Sequence, residues 1–190
     1  MKDKIALLRE KYGKFEGIFR FVVVLLAAHF FWKFTVIGDE NGAAAITFFG
    51  ANISAPFDWL SLHIAQMSHM VLGWFGMDTY LFNTSVIHPS NNHGCRIIWA
   101  CTGLKQAFIF TMILLFSRGI WYHKLWYILL GLVAVYFVNL VRIILIVAAM
   151  RDYPEYFHLL HEHIFKYLFY VIIFMIWVLW EDFLVPRLKR

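Results

Sequence analysis

Long apolar runs alternate along the chain with short polar connectors. Apolar residues dominate roughly 17–37, 97–117, 124–150 and 161–180, and each run approaches or exceeds the ~20 residues that a helix needs to cross a bilayer. Each predicts a membrane span. The segment FDWLSLHIAQMSHMVLGWFGM at 57–77 reads differently. Leu60, Ile64, Met67, Val71 and Trp74 recur at spacings of four and three, while Ser61, Ala65, His69 and Gly73 fall on another face, the pattern of an amphipathic helix. It predicts a helix lying at the outer membrane interface and packed against the bundle.

The connectors set the topology. The N-terminal MKDKIALLREKYGK is basic and amphipathic and the C-terminal EDFLVPRLKR is rich in Lys and Arg, so the positive-inside rule places both ends in the cytoplasm. The number of crossings is then even, and 57–77 does not cross. The turn SRGIWYHK, with Arg118 and Lys124, faces the cytoplasm. The Gly-, Asn- and Ser-rich loops GDENGAAAITFFGANISAP and DTYLFNTSVIHPSNNHG face outward, and the second predicts a short extended hairpin leading into IIWACTG. The expected fold is an all-α membrane protein, a polytopic helical bundle of about four transmembrane spans plus one amphipathic interfacial helix. Residues 1–190 read as one integral membrane domain, with 1–16 as a cytoplasmic amphipathic N-terminus, 57–77 as the outer interfacial helix and 97–181 as the remaining helices of the bundle.

Composition agrees with the pattern. At 62% apolar, 19% aromatic and 15% charged over 190 residues, the chain lies outside the range of soluble domains. The first run is followed by no clear small-residue cleavage site and reads as a retained span, not a signal peptide. The net charge of +5 comes from basic residues clustered at the ends, which fits membrane flanks and not a nucleic-acid partner. Cys95 and Cys101 are too few for a disulfide framework and lack the paired spacing of a zinc site. No phosphate or dinucleotide loop is present, and no cofactor or metal is implied.

Ionisable groups inside apolar runs demand a reason. IWACTGLKQ at 98–106 puts a thiol, a lysine and a glutamine where a span is expected. Cys101 lies sixteen residues before Ser117 and Arg142 eighteen after Lys124, about 24 Å and 27 Å along helices rising 1.5 Å per residue. His161 lies twenty residues before Glu181, about 30 Å by the same rise. Thiol, guanidinium and imidazole therefore share one layer near the outer face. Centring an arginine in a span costs about 2.5–3.5 kcal/mol on insertion scales, and apart from Glu162 at the very start of the last run no acidic residue occurs within the long runs. A structural ion pair is thus a poor account of Arg142. Asn139, one turn earlier on the same face, is placed either to orient the guanidinium or to bond a neighbouring helix. Read as part of a helix, Cys101 sits at a helix N-terminus with Lys105 one turn later, which predicts a thiol pKa below its ordinary value. In HLLHEH, helical spacing puts His158 and His161 on one face and turns His163 away.

ACTG at 100–103, NLVR at 139–142 and a histidine opening the last span, in that order and at that depth, resemble the exosortase and archaeosortase family over roughly residues 57–181. The resemblance implies a membrane Cys-Arg-His transpeptidase that processes C-terminal sorting signals of exported proteins in a prokaryotic cytoplasmic (inner) membrane. Its substrates would carry a short motif, a transmembrane span and a basic tail. Carried onto this chain, it makes Cys101 the nucleophile, Arg142 the stabilising cation and one of the three histidines the proton carrier; HEHIFKY resembles the family's histidine and aromatic stretch and favours His161, while Asn139, Lys105 and His163 read as supporting residues. Thr102 stands where Ser is common, and Phe165 or Lys166 replaces a small residue after the histidine, so His161 and His163 are hard to separate by motif. The chain is also shorter than many relatives. Two rival readings remain: a quinone-linked membrane thiol-disulfide oxidoreductase using Cys95 and Cys101, and a non-enzymatic scaffold whose polar layer bonds helices together.

Overall fold

The structure, a computed structural model, describes the backbone of residues 2–38 and 45–188. Side chains are described over 15–38 and 45–186, apart from 162 and 166, so the basic termini lie outside the described side chains. The chain is a helical membrane protein. Three segments are long and apolar enough to cross a membrane, Phe15–Thr35, Trp121–Asp152 and Tyr167–Leu184, and Leu104–Phe116 is a shorter apolar helix. They belong to α1 (Lys2–Thr35), α4 (Trp121–Asp152), α5 (Phe165–Val178, continued by a π-helical turn Leu179–Leu184) and α3 (Leu104–Phe116). A last short helix, α6, covers Val185–Leu188.

These four helices close on one apolar core. Phe21 and Ala28 of α1, Ile109, Phe110 and Ile113 of α3, Ile128 and Val135 of α4, and Phe169, Ile173 and Trp177 of α5 are all buried in it. Gly131 is required there, because a Cβ at that position would lie 2.0 Å from Phe110 Cζ. The outer surface is apolar too, with Phe19 71%, Phe34 74% and Leu130 67% exposed. An apolar exterior of this kind is what a lipid solvent selects.

One end of the bundle is tied by charge. Arg118, in the α3–α4 turn, pairs with Glu16 of α1 at 2.7 Å, and Trp180 Nε1 donates to the Arg118 carbonyl at 2.8 Å. Lys124 donates to the Ser117 and Leu115 carbonyls at 2.5 and 3.0 Å, closing the open end of α3. Those contacts gather the start of the first span, the α3–α4 turn and the end of the last helix at the end opposite Cys101, as an up-down bundle requires.

At the Cys101 end lie α2 (Ser54–Trp74) and two small antiparallel sheets. The first, β1 (Val36–Ile37), β2 (Thr47–Phe48) and β3 (Ala51–Asn52), follows α1. The second is a meander of β4 (Tyr80–Phe82), β5 (Ser85–Ile87) and β6 (Gly94–Arg96). The expected hairpin is therefore present, with a third strand that carries Cys95 opposite Val86. A second core joins Ile64 and Leu72 of α2, Val86, Cys95 and Ile97 of the meander, and Ile143 and Val147 of α4. His88 fastens the meander to α4, its Nε2 lying 2.8 Å from the Val147 carbonyl. Asn91 donates to the carbonyls of Met150 and Arg151, capping the same helix.

The fold settles which face of α2 is buried and changes one sequence expectation. The buried face of α2 is Phe57, Ser61, Ile64, Ala65, Ser68 and Leu72, whereas Trp74 is 74% exposed. Small Ser and Ala let the helix lie close against its neighbours, while Trp59 and Trp74 turn outward. The run at 97–117 is also not one continuous helix. It opens with a 3₁₀ turn at Trp99–Cys101, breaks at Gly103 in the left-handed region (φ +81°), and becomes α3 only from Leu104.

Candidate active site

That break positions the thiol. Cys101 ends the 3₁₀ turn, three residues before α3, and is 3% exposed. Thr102 Oγ1 donates to the Trp99 carbonyl at 2.7 Å, and Trp99 Nε1 donates to Asp58 of α2 at 2.6 Å, so the turn is fixed from both sides. Asn139 of α4 donates its side-chain amide to the Cys101 carbonyl at 2.9 Å. Gly103 makes room for that bond, since a Cβ there would lie 3.1 Å from Asn139 Cγ in a backbone conformation L side chains rarely adopt.

His161 reaches the thiol from the last helix, with Nε2 3.4 Å from Cys101 Sγ. It sits in a π-helical turn, Leu159–Ile164, that precedes α5. In a π turn hydrogen bonds run from i to i+5, so residues five apart come together. His158 and His163 accordingly pair their rings at 5.7 Å, and His161 turns alone to Cys101. This corrects the face assignment expected from α-helical spacing. Phe157 stacks on the His161 ring at 5.4 Å and 15°, fixing its plane.

Arg142 lies one turn beyond Asn139 and is 8% exposed. Its Nε is buried without a hydrogen-bond partner among the described residues. Its charge acts on both thiols, yet burial dominates and pushes the Cys101 thiol above its ordinary pKa, with Arg142 and a backbone hydrogen bond at Ile98 pulling the other way. Cys95 is pushed up to about 12 by burial and by the neighbouring Cys101, against Arg142. The expected depression of the Cys101 pKa is thus reversed, because the residue is not on the helix and is withdrawn from water. Lys105 is half-buried at the second position of α3. Both cysteines are free thiols.

Of the residues singled out in the sequence, Cys101, Asn139 and His161 meet directly, Arg142 acts on the thiol electrostatically, and His163 is turned to His158. Asp58 and Phe157 were missed. Neither belongs to a motif, and each is drawn in by a partner that only the fold supplies. Between α4 and α5 a cleft of about 250 Å³ runs along Arg142, lined by Phe137, Val141, Leu145, Phe165 and Leu168.

A buried thiol thus lies within hydrogen-bonding range of an imidazole in a helical membrane protein whose exterior is apolar. The family model for transmembrane exosortases (Exosortase_EpsH) matches residues 42–178, well over half of the chain, and the chain belongs to that family. The matched region contains Cys101, Asn139, Arg142 and His161. No curated protein and no solved structure matches the chain.

Proposed function

We propose that this exosortase is a membrane cysteine transpeptidase that cleaves the C-terminal sorting signal of exported proteins and passes them to a surface acceptor. The observation that carries the reading is the 3.4 Å approach of His161 Nε2 to Cys101 Sγ. A thiol whose pKa is raised by burial is protonated at neutral pH and is a poor nucleophile until a base takes its proton. His161 is that base. The thiolate sulfur attacks the scissile carbonyl, Arg142 stabilises the oxyanion that forms, and the imidazolium returns its proton to the departing amine. A thioester on Cys101 remains. An amine or hydroxyl acceptor then attacks it and regenerates the thiol, whereas water would give hydrolysis. Asn139 holds the Cys101 backbone through both steps.

The substrates in this reading carry a short motif, a transmembrane span and a basic tail, and are presented at the outer face of a prokaryotic cytoplasmic membrane. Replacing Cys101 with Ala should abolish processing of such a substrate in membranes while leaving the protein inserted. Undiminished processing by Cys101→Ala would end the proposal. A thioester that forms on the wild type and is released by hydroxylamine would support it.

A further inference from the structure

Among the buried polar atoms that lack a hydrogen-bond partner within the described residues are Asn139 Oδ1, Arg142 Nε and Gln106 Oε1. The first two flank Cys101 on α4. Gln106 lies on α3, spaced with Ile109, Phe110 and Ile113 along the buried face of that helix. Gly103 borders Asn139 and Phe110 borders Gly131, so α3 and α4 run antiparallel and this face of α3 looks toward α4. Helical side chains lean toward their own N-terminus. Gln106 therefore leans toward Cys101, and Arg142 leans back toward Asn139. The two converge on the space beside the thiol.

Buried polar atoms without partners destabilise a fold, and a charged group does so most. Together they describe what would relieve them. Two carbonyl acceptors call for N–H donors, and a guanidinium calls for an oxygen. An anion would satisfy Arg142 but be repelled by the two carbonyl oxygens, and an ammonium would do the reverse. A peptide backbone supplies an N–H and a carbonyl oxygen side by side. The apolar cleft along Arg142 leaves room for apolar side chains of the same segment.

Resting on the peptidase reading above, we infer that Gln106 is a substrate-binding residue whose Oε1 accepts a hydrogen bond from a backbone N–H of the bound peptide, beside the carbonyl polarised by Arg142. Gln106 takes no part in proton transfer. It selects for and aligns a secondary amide.

The test uses the full chain in detergent and three thiol reagents, with the modified residue identified by peptide mass spectrometry. One is an N-acylated leucyl-leucyl chloromethyl ketone, which carries backbone N–H groups. The second is the same compound with those nitrogens methylated one at a time. The third is methyl methanethiosulfonate, which has no amide. Gln106→Met should raise the half-saturating concentration of the first reagent about three- to tenfold, the net worth of one hydrogen bond, and leave its maximal labelling rate and the methanethiosulfonate rate unchanged. One methylated analogue should show the same loss on the wild type and no further loss on the variant, as a coupled pair requires. Equal slowing with all three reagents, or no change with any, overturns the inference. So does a wild type that reacts with methanethiosulfonate at Cys101 but shows no saturable labelling by the peptide. If Cys101 of the wild type reacts with none of them, the nucleophile assignment falls as well.

Discussion

Asn139 donates its side-chain amide to the carbonyl of Cys101 at 2.9 Å, across a gap that only a glycine at 103 leaves open. The Cys101 backbone is thereby held by the helix that also carries Arg142, so thiol and guanidinium are positioned by one rigid element.

Removing that bond should cost activity more than folding. Asn139→Ala leaves the buried Cys101 carbonyl unsatisfied, a loss of about 1–3 kcal/mol, and should lower processing roughly ten- to a hundredfold if the thiol shifts with its backbone. Gly103→Ala should be comparably damaging, because it adds strain at φ +81° and crowds Asn139. Thermal unfolding in detergent measured beside turnover checks both. Activity within about twofold of wild type for Asn139→Ala would show that the bond does not position the thiol.

The histidines should divide sharply. His161→Ala should match Cys101→Ala in loss of processing, and the double variant should be little worse than either, since residues acting as one unit are not additive. His158→Ala and His163→Ala, whose rings pair with each other, should retain substantial turnover. If His163→Ala were dead and His161→Ala active, the proton carrier would be reassigned. Normal processing by all three would remove histidine from the mechanism.

Reactivity against pH follows from burial. With its pKa raised, Cys101 should ionise above the ordinary ~8.5 of a free thiol, so direct alkylation of His161→Ala should still be climbing beyond that pH. In the wild type His161, with Nε2 3.4 Å from the sulfur, should raise the rate below that pH by taking the thiol proton. Cys95, at about 12, should stay largely unlabelled up to about pH 10, more than a unit below its pKa, and Cys95→Ser should process substrate normally. Loss of activity in Cys95→Ser would favour the disulfide-exchanging alternative, which needs both thiols.

What the sequence revealed and what it hid have physical causes. The spans at 15–35 and 121–152 were legible because lipid leaves few other ways to satisfy a long apolar backbone. The common depth of Cys101, Arg142 and His161 was legible because helical rise is fixed at about 1.5 Å per residue. Counting residues, however, assumes uniform geometry. The break at Gly103 depends on Asn139, thirty-six positions away in sequence, and the π turn that separates His161 from His163 leaves no periodic signature in six residues. The pattern at 57–77 did not tell which face of α2 turns inward, because apolarity does not mean burial where the solvent is lipid. In lipid the large apolar side chains can face outward and the small polar ones inward. The His88 brace to Val147 spans fifty-nine positions and belongs to no motif.

Arg142 separates catalysis from architecture most directly. Its Nε is buried without a partner, so the guanidinium is not explained by helix bonding within the described residues. A lysine there keeps the charge but replaces a planar fork able to hold two oxygens, or an oxygen and the thiolate sulfur, with a single point donor. Arg142→Lys should therefore insert and unfold like the wild type and yet lose most of its activity. The loss should fall on kcat, because an oxyanion contact strengthens only as charge develops in the transition state; removing one such donor typically costs about a hundred- to a thousandfold. Arg142→Ala adds a control. A scaffold bonded together by its polar layer would lose detergent thermal stability with this change, whereas a catalytic guanidinium relieved of burial would leave stability unchanged or higher. A destabilised Arg142→Ala with normal turnover in the folded fraction would return Arg142 to a structural role and leave Cys101 and His161 without their oxyanion partner.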